Sequence, residues 1–362
     1  MSGPHICEVI KTLDLGGAEI LLVERMLATP QTGKRYTVVC LRASTDELRA
    51  RLRSAGVEVI DLTSHPRWQR PARLIRVIGK LRPDVINIHS PLLAVLLRPL
   101  ARMRRPRPAL ISTVHNVRYR LPTMLLDLGT RWLDMRTVAV SPHVARSRTC
   151  WLARHVTVRV HGVRVEVQRR WARMADQTRR HWDVPGGAFL IVHVGNFHPQ
   201  KNHDLLLDAA VKVLEQDNRA RFLLAGSGPL LNRTARRVDA LGLTGVRLLG
   251  RLPDARRLIA AADLLVLSSS YEGLPVVVME ALAAGVPVVS TAVGGVPDLI
   301  SHNRNGLLVE PDDPDALAGA ILRAMRPDAH ARLREGARDS ADLVDIGRAA
   351  EWFDRLYDDV LA

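Results

Sequence analysis

Short runs of Val, Ile and Leu alternate with longer stretches in which apolar residues recur every three or four positions, and the alternation persists over most of the 362 residues. Runs of the first kind read as strands and stretches of the second as helices, a pattern that predicts parallel sheets with crossover helices. Candidate strands lie at 5–11, 36–42, 57–61, 84–89, 109–114, 136–140 and 155–160, then at 189–194, 220–225, 245–249, 263–268, 286–290 and 306–309. Their near-continuous apolar character fits strands covered on both faces.

Between the two series, "HGVRVEVQRRWARMADQTRRHWDVPGGAF" replaces strand with polar helical pattern and ends in a turn. A seam near residue 160 then separates a domain of residues 1–160 from one of 161–345, which this segment opens. The last stretch, 346–362, reads as a helix whose Trp352, Phe353, Leu356 and Tyr357 are available to pack back on the first domain. The expected fold is α/β, two facing Rossmann-like sheets with ligands at the carboxyl ends of their strands, in the crevice between them.

Composition adds little until charge is divided along the chain. Cys7, Cys40 and Cys150 are far apart and lack metal-type spacing, so they read as free thiols in a reducing compartment. The first residues lack a secretory pattern and no apolar run reaches membrane-spanning length, which gives a cytoplasmic expectation. Residues 1–160, however, carry 27 Lys and Arg against 11 Asp and Glu, and the remainder 25 against 26. The whole excess lies in the first half, so the partner of that half is expected to be anionic: a membrane surface, a substrate or nucleic acid. No basic platform interleaved with aromatic residues is present, which argues against specific nucleic-acid binding.

The candidate chemistry begins with "DLLVLSSSYEGLPVVVMEALAAGVPVV", where Glu272 and Glu280 are the only charges between Asp263 and Asp298. The stretch reads strand, loop, helix, Gly285 as helix stop, strand. Carboxylates in such surroundings need hydrogen-bond donors, and sugar hydroxyls are suitable ones. In "LDLGGAEILLVERML", Gly16 and Gly17 form a turn before a helix whose free N–H groups and dipole favour an anion. "DVINIHS" and "ISTVHNV" each end a strand with a histidine, His89 and His115. In "PRWQRPARLIRVIGKLRPD", Arg73 and Arg76 lie with Lys80 on one face of a helix starting near Pro71, a basic surface suited to an anionic leaflet or a lipid-diphosphate acceptor.

The two-glutamate stretch resembles the signature of retaining glycosyltransferase family four, close to "PSxxEGxPxxxxEAxAxGxPVV", and further motifs of that family follow in order over essentially the whole chain. The resemblance implies a GT-B fold, a nucleoside-diphosphate sugar (UDP- or GDP-linked) held mainly by the second domain, and transfer to a glycan or lipid-linked acceptor hydroxyl with retention and without a metal or other cofactor. It implies that Glu280 accepts from ribose hydroxyls and Glu272 from sugar hydroxyls, with Gly273, Leu274, Pro275 and Val276 lining the donor. "HVGNFHPQKNHDLLLDAA" resembles the family's phosphate motif, with Lys201 in the lysine position but Asn196 where an arginine is usual and Asn202 where a glycine is usual. Gly226 and Gly228 of "FLLAGSGPLL" match the turn near the nucleotide, and Arg251 and Leu252 the border of the base pocket. The Gly16–Gly17 turn would lie against the donor phosphates, His115 would reach the sugar, and His89 would be structural. Arg118 and Arg120, just after His115, would reach the acceptor channel. His161 and Arg164 stand where relatives carry Asn and Asp, a change read as one of hinge geometry. The Asp-Pro-Asp of "PDDPDAL" reads as a helix cap rather than a metal motif. Two other readings stay open: a nucleotide-sugar epimerase of similar fold, and a donor-binding family member with weak or lost transfer.

Overall fold

A computed structural model of the chain describes residues 3–14, 16–30, 32–115, 117, 119 and 121–362; Arg118 and Arg120 lie outside the described residues. The chain divides into two compact units, residues 1–162 with 346–362, and residues 163–345. The first contains β1 (His5–Thr12), α1 (Gly17–Ala28), β2 (Arg35–Arg42), α2 (Glu47–Ser54), β3 (Glu58–Asp61), α3 (Arg70–Leu81), β4 (Val85–Ile88), α4 (Pro91–Arg102), β5 (Ala109–Val114), α5 (Leu121–Arg131), β6 (Arg136–Ala139), α6 (Pro142–Arg146) and β7 (Val156–Val158). The second contains α7 (Val165–Arg173), α8 (Ala175–His181), β8 (Phe189–Val194), α9 (His203–Gln216), β9 (Ala220–Ala225), α10 (Leu231–Ala240), β10 (Val246–Gly250), α11 (Arg256–Ala261), β11 (Leu264–Leu267), α12 (Val276–Ala284), β12 (Val288–Thr291), β13 (Gly306–Val309), α13 (Pro314–Met325) and α14 (Pro327–Asp339). The last helix, α15 (Ile346–Leu361), belongs to the first unit.

Each unit is a parallel sheet, ordered β3-β2-β1-β4-β5-β6-β7 in the first and β10-β9-β8-β11-β12-β13 in the second. The order reverses direction between β1 and β4 and again between β8 and β11. Loops leaving adjacent strands diverge at such a point and open a crevice beyond the carboxyl ends.

Helices cover both faces of each sheet because the strands are apolar on both. In the first unit Leu74, Ile78, Leu93 and Leu97 cover one side and Leu22, Met26, Leu48 and Leu52 the other. Phe353, Leu356 and Tyr357 of α15 join Ile6, Val85, Ile111 and Val138 in a third cluster. In the second unit Leu206, Ala210 and Val213 of α9 and Leu317 and Ile321 of α13 pack on Phe222, Leu264 and Val289. Local signals set the helix starts: Pro lies in the first turn of α3, α4, α13 and α14, and Asp313 caps α13 by accepting from Ala316 N at 2.9 Å.

Candidate active site

In the second unit the reversal point brings together the loops after β8 and β11. Residues Pro199–Lys201 form one 3-10 turn, and Asn202, in left-handed conformation, caps α9 by accepting from Leu205 N at 3.3 Å. That turn sets Lys201 Nζ 2.5 Å from Glu272 Oε1. Ser269 Oγ donates to the same oxygen at 2.6 Å, and Ser268 Oγ donates to Lys201 O at 2.8 Å. Glu272 is buried and Lys201 half-buried, so the pair has one covered and one accessible side.

Backbone contacts fix this loop further. Ser270 N donates to Gln200 O at 2.8 Å, and Gln200 Nε2 donates to Tyr271 O at 2.9 Å. The β9 loop approaches so closely that a Cβ on Gly226 would stand 1.9 Å from Gly195 O and one on Gly228 2.6 Å from Phe197 O; both have φ of +153°. Only glycine fits there. Asn196, exposed, lies two residues beyond β8; Arg251, exposed, and Leu252, half-buried, follow β10. Gly273, Leu274 and Pro275 lead into α12, which opens at Val276 and bears the half-buried Glu280. All of these residues therefore belong to the carboxyl edge of one sheet or to the helix that leaves it.

One residue here escaped the sequence reading. His193, within β8, is fully buried, with Nδ1 2.9 Å from Val266 O. Burial, His203 and Lys201 hold its imidazole well below the ordinary histidine range, so it is neutral. Its signal was present as the only polar side chain in "FLIVHV".

The reversal point of the first unit is built differently. Glu8, in the middle of β1, is fully buried and forms an ion pair with Arg25 of α1 at 2.9 Å. Tyr357 Oη donates to Glu8 Oε1 at 2.6 Å, while Arg25 and Asn87 each donate to Tyr357 Oη at 3.0 Å. Burial opposes ionisation of Glu8, but Arg25, His89 and Tyr357 outweigh it and bring the carboxyl down to about 2. His89 Nε2 lies 2.8 Å from Glu8 Oε2, and His89 Nδ1 lies 2.9 Å from His115 Nε2. An ionised Glu8 requires Nε2–H on His89. Burial keeps His89 and, more strongly, His115 below the ordinary histidine range, so His89 offers Nδ1 as acceptor, His115 donates Nε2–H, and His115 Nδ1 keeps its lone pair.

His89 is thus bonded directly to the candidate catalytic histidine. His161, read as a seam residue, is fully buried with its ring 5.5 Å from that of His115 and 5.5 Å from Phe353. Gly16 and Gly17 sit at the N-terminus of α1 as expected from the turn, yet a Cβ on Gly16 would stand 2.4 Å from Glu19 Oε2. A carboxylate of the protein therefore already lies by this helix end, held by Thr12 Oγ1 at 2.5 Å. Arg76 is exposed and Arg73 half-buried on α3. Among the described residues no group of His, Cys, Asp or Glu is arranged to hold a metal ion.

Comparison with known proteins matches a family model to each half of the chain. The Glycosyltransferase Family 4 model matches residues 15–167, and the Glycosyl transferases group 1 model matches residues 188–326. Over 188 residues the chain is 28% identical to N-acetyl-alpha-D-glucosaminyl L-malate synthase of Bacillus anthracis, covering 51% of this chain and 49% of that protein. Over 265 residues it is 25% identical to UDP-Gal:alpha-D-GlcNAc-diphosphoundecaprenol alpha-1,3-galactosyltransferase of Escherichia coli, covering 69% and 68%. The chain spans about half the length of the curated relatives it matches first. Among solved structures, HepE of Anabaena, in complex with UDP and glucose, superposes with a TM-score of 0.85 at 19% identity, covering 99% of this chain and 100% of that one. The fold is GT-B.

Proposed function

The chain belongs to glycosyltransferase family four, and from that premise we propose that it moves one sugar from a nucleoside diphosphate to an acceptor hydroxyl, with retention, in the synthesis of a cell-surface glycan, polysaccharide or glycolipid. The observation that carries this reading is the Lys201–Glu272 pair at the reversal point of the second sheet. Each partner offers what a nucleotide-sugar needs: an ammonium for the departing diphosphate and a carboxylate for sugar hydroxyls.

On donor binding Lys201 turns from Glu272 to the phosphates, and the sugar hydroxyls take its place on the carboxylate. Glu280 accepts from the ribose, and Gly226 and Gly228 give the nucleotide room. The Gly16–Gly17 turn is the first unit's candidate phosphate turn, with Glu19 now beside it. His115 orients the sugar through its Nδ1 lone pair. The leaving phosphate accepts the acceptor proton on the face where the acceptor attacks, so neither a metal ion nor a protein nucleophile enters the reaction. A UDP-sugar is the favoured donor, since UDP occupies HepE of Anabaena. The first unit takes the acceptor, a glycan or a lipid-linked one, with Arg73 and Arg76, and Arg118 and Arg120 beside His115, on that side.

Calorimetry and slow donor hydrolysis across UDP-, GDP-, ADP- and dTDP-sugars test the reading. Binding and hydrolysis of one of these donors is the expected result, and failure of all four to bind removes it. Asn196 favours one second reading, a family member that holds its donor weakly and transfers slowly; binding without hydrolysis or transfer would select that one.

A further inference from the structure

Helix α5 is inside out. Its exposed positions, Leu121, Pro122, Leu125, Leu126 and Gly129, carry no charge, while its two charged residues, Asp127 and Arg131, are buried. The cause lies in α4, whose fully buried Arg98 donates to Asp127 Oδ1 at 2.8 Å, to Asp127 O and Thr130 Oγ1 at 3.0 Å, and to both carboxylate oxygens of Asp134 at 2.8 Å. Arg131 pairs with Asp127 from within the helix. Ion pairs and hydrogen bonds therefore hold α5 in place, and Leu121, Leu125 and Leu126 point outward.

Other apolar side chains adjoin that face. Trp132 follows α5 directly, and Trp151 and Leu152 follow the 3-10 turn Arg148–Cys150, which packs on α5. Leu121, Leu125, Leu126, Trp132, Trp151 and Leu152 are each between 56% and 70% exposed. Apolar exposure on this scale marks an interaction surface, and tryptophan is the side chain that settles at a bilayer–water boundary.

Charge selects the partner. Between Asp84 and Glu166 the only acids are Asp127 and Asp134, both buried, whereas Arg146, Arg148 and Arg154 are exposed. Beyond the C-terminus of α5, Arg102 donates to Leu133 O at 2.6 Å and, with Met135, lines a cavity of about 560 Å³. Arg82, Arg104, Arg105 and Arg107 complete its basic wall, opposed only by Asp84, which already accepts from His5 N.

We propose that the outer face of α5, with Trp132, Trp151 and Leu152, seats this protein on an anionic bilayer, the leucines entering the acyl boundary and the surrounding arginines lying among headgroup phosphates. No described helix is long and apolar enough to cross a membrane, so the contact lies in the plane of the interface. A second copy of the chain is the poorer occupant. Self-pairing of this face would set Arg146, Arg148 and Arg154 against their own copies, with no exposed acid between described residues 84 and 166 to meet them. The surface belongs to the first unit alone and stands whether or not the transferase reading does.

Sedimentation of the full chain, without donor, with vesicles of phosphatidylcholine and of phosphatidylcholine mixed with phosphatidylglycerol tests it. Binding to the mixed vesicles, weakened by salt, is expected. Leu125→Glu with Leu126→Glu should lower it about tenfold or more, and Arg148→Glu with Arg154→Glu should lower it several-fold and flatten its salt dependence. If the glutamate pair fails to fold, judged by its unfolding midpoint, Leu125→Ser with Leu126→Ser gives the same comparison. The proposal is overturned if wild type ignores the mixed vesicles or if the leucine variants bind as well as wild type. A concentration-dependent dimer that those variants abolish would assign the face to a second copy instead.

Discussion

The two reversal points share one topology and treat charge in opposite ways. In the first unit Glu8, Arg25, Asn87, His89 and Tyr357 are all buried and bonded to one another, out of reach of solvent. In the second, Glu272 is held by a buried hydroxyl, that of Ser269, and by one half-buried ammonium, the group that a ligand can replace. One sheet has made its crevice into a scaffold that fixes the orientation of a histidine; the other has kept its crevice exchangeable. A doubly wound sheet therefore supplies the place for chemistry, while the solvation of the charges set there decides whether the place binds or merely supports.

Glu8→Ala is the hardest blow to this contrast. It leaves Arg25 buried without its counter-ion and should destabilise the first unit by about 3–5 kcal/mol. Chemical denaturation followed by hydrogen exchange resolves the two units; a loss no greater than that of Glu272→Ala would end the distinction. Lys201→Ala should act in the opposite sense. Transfer should fall by about 10²–10³-fold, about 3–4 kcal/mol in the transition state, with stability changed by less than about 1 kcal/mol. If rate and stability fall together, Lys201 is a strut like Arg25.

Much of the architecture was legible because it rests on continuous apolar runs, which report burial directly. The site was legible where a motif spaces its residues along the chain, as Glu272 and Glu280 are spaced, and less so where the partner comes from another element. Lys201 and Glu272 are 71 positions apart, and no period in the sequence says that they touch. Glu8 could have been found by the rule that drew attention to Glu272, a lone acid in an apolar run, here "HICEVI". The contact of His89 with His115 could not, since only the pairing of β4 with β1, and of β5 with β4, sets those two side by side, and His161 packs on His115 from beyond β7. The inverted face of α5 was equally hidden, because it depends on Arg98 reaching Asp127 across 29 residues.

Acid should separate the units next. His5, His89, His115 and His161 of the first unit and His193 and His203 of the second all have lowered pKa values, His161 at about 3 and His203 at about 4, with burial as the main cause. The unfolded chain then binds more protons than the folded one at mildly acid pH. The resulting stability is complete above about pH 6.5 and is lost as pH falls below it, at up to about 1.4 kcal/mol per pH unit for each histidine. The first unit, with more such groups, should lose protection faster; unit-resolved hydrogen exchange from neutral pH to about pH 5 should show the divergence, and equal slopes would contradict it.

Smaller effects belong to the exchangeable side alone. Glu280→Ala should weaken UDP binding about tenfold by calorimetry, the size of a hydrogen bond to a charged group, and unchanged affinity would take Glu280 off the ribose.

The mildest test adds a group instead of removing one. Asn196 is exposed, two residues beyond β8 and beside the buried Phe197, so an arginine side chain there can extend into solvent. A guanidinium at that position can grip a diphosphate in bidentate fashion, but in contact with solvent it should contribute only about 1 kcal/mol. Asn196→Arg should therefore tighten UDP binding about fivefold, more at low salt than at high, and leave the stability of the second unit where it was. Tighter binding without a salt dependence would mean that the arginine packs rather than pairs. Unchanged binding would place the phosphates away from the end of β8, and the exchangeable character of this reversal point would then rest on Lys201 and Glu272 alone.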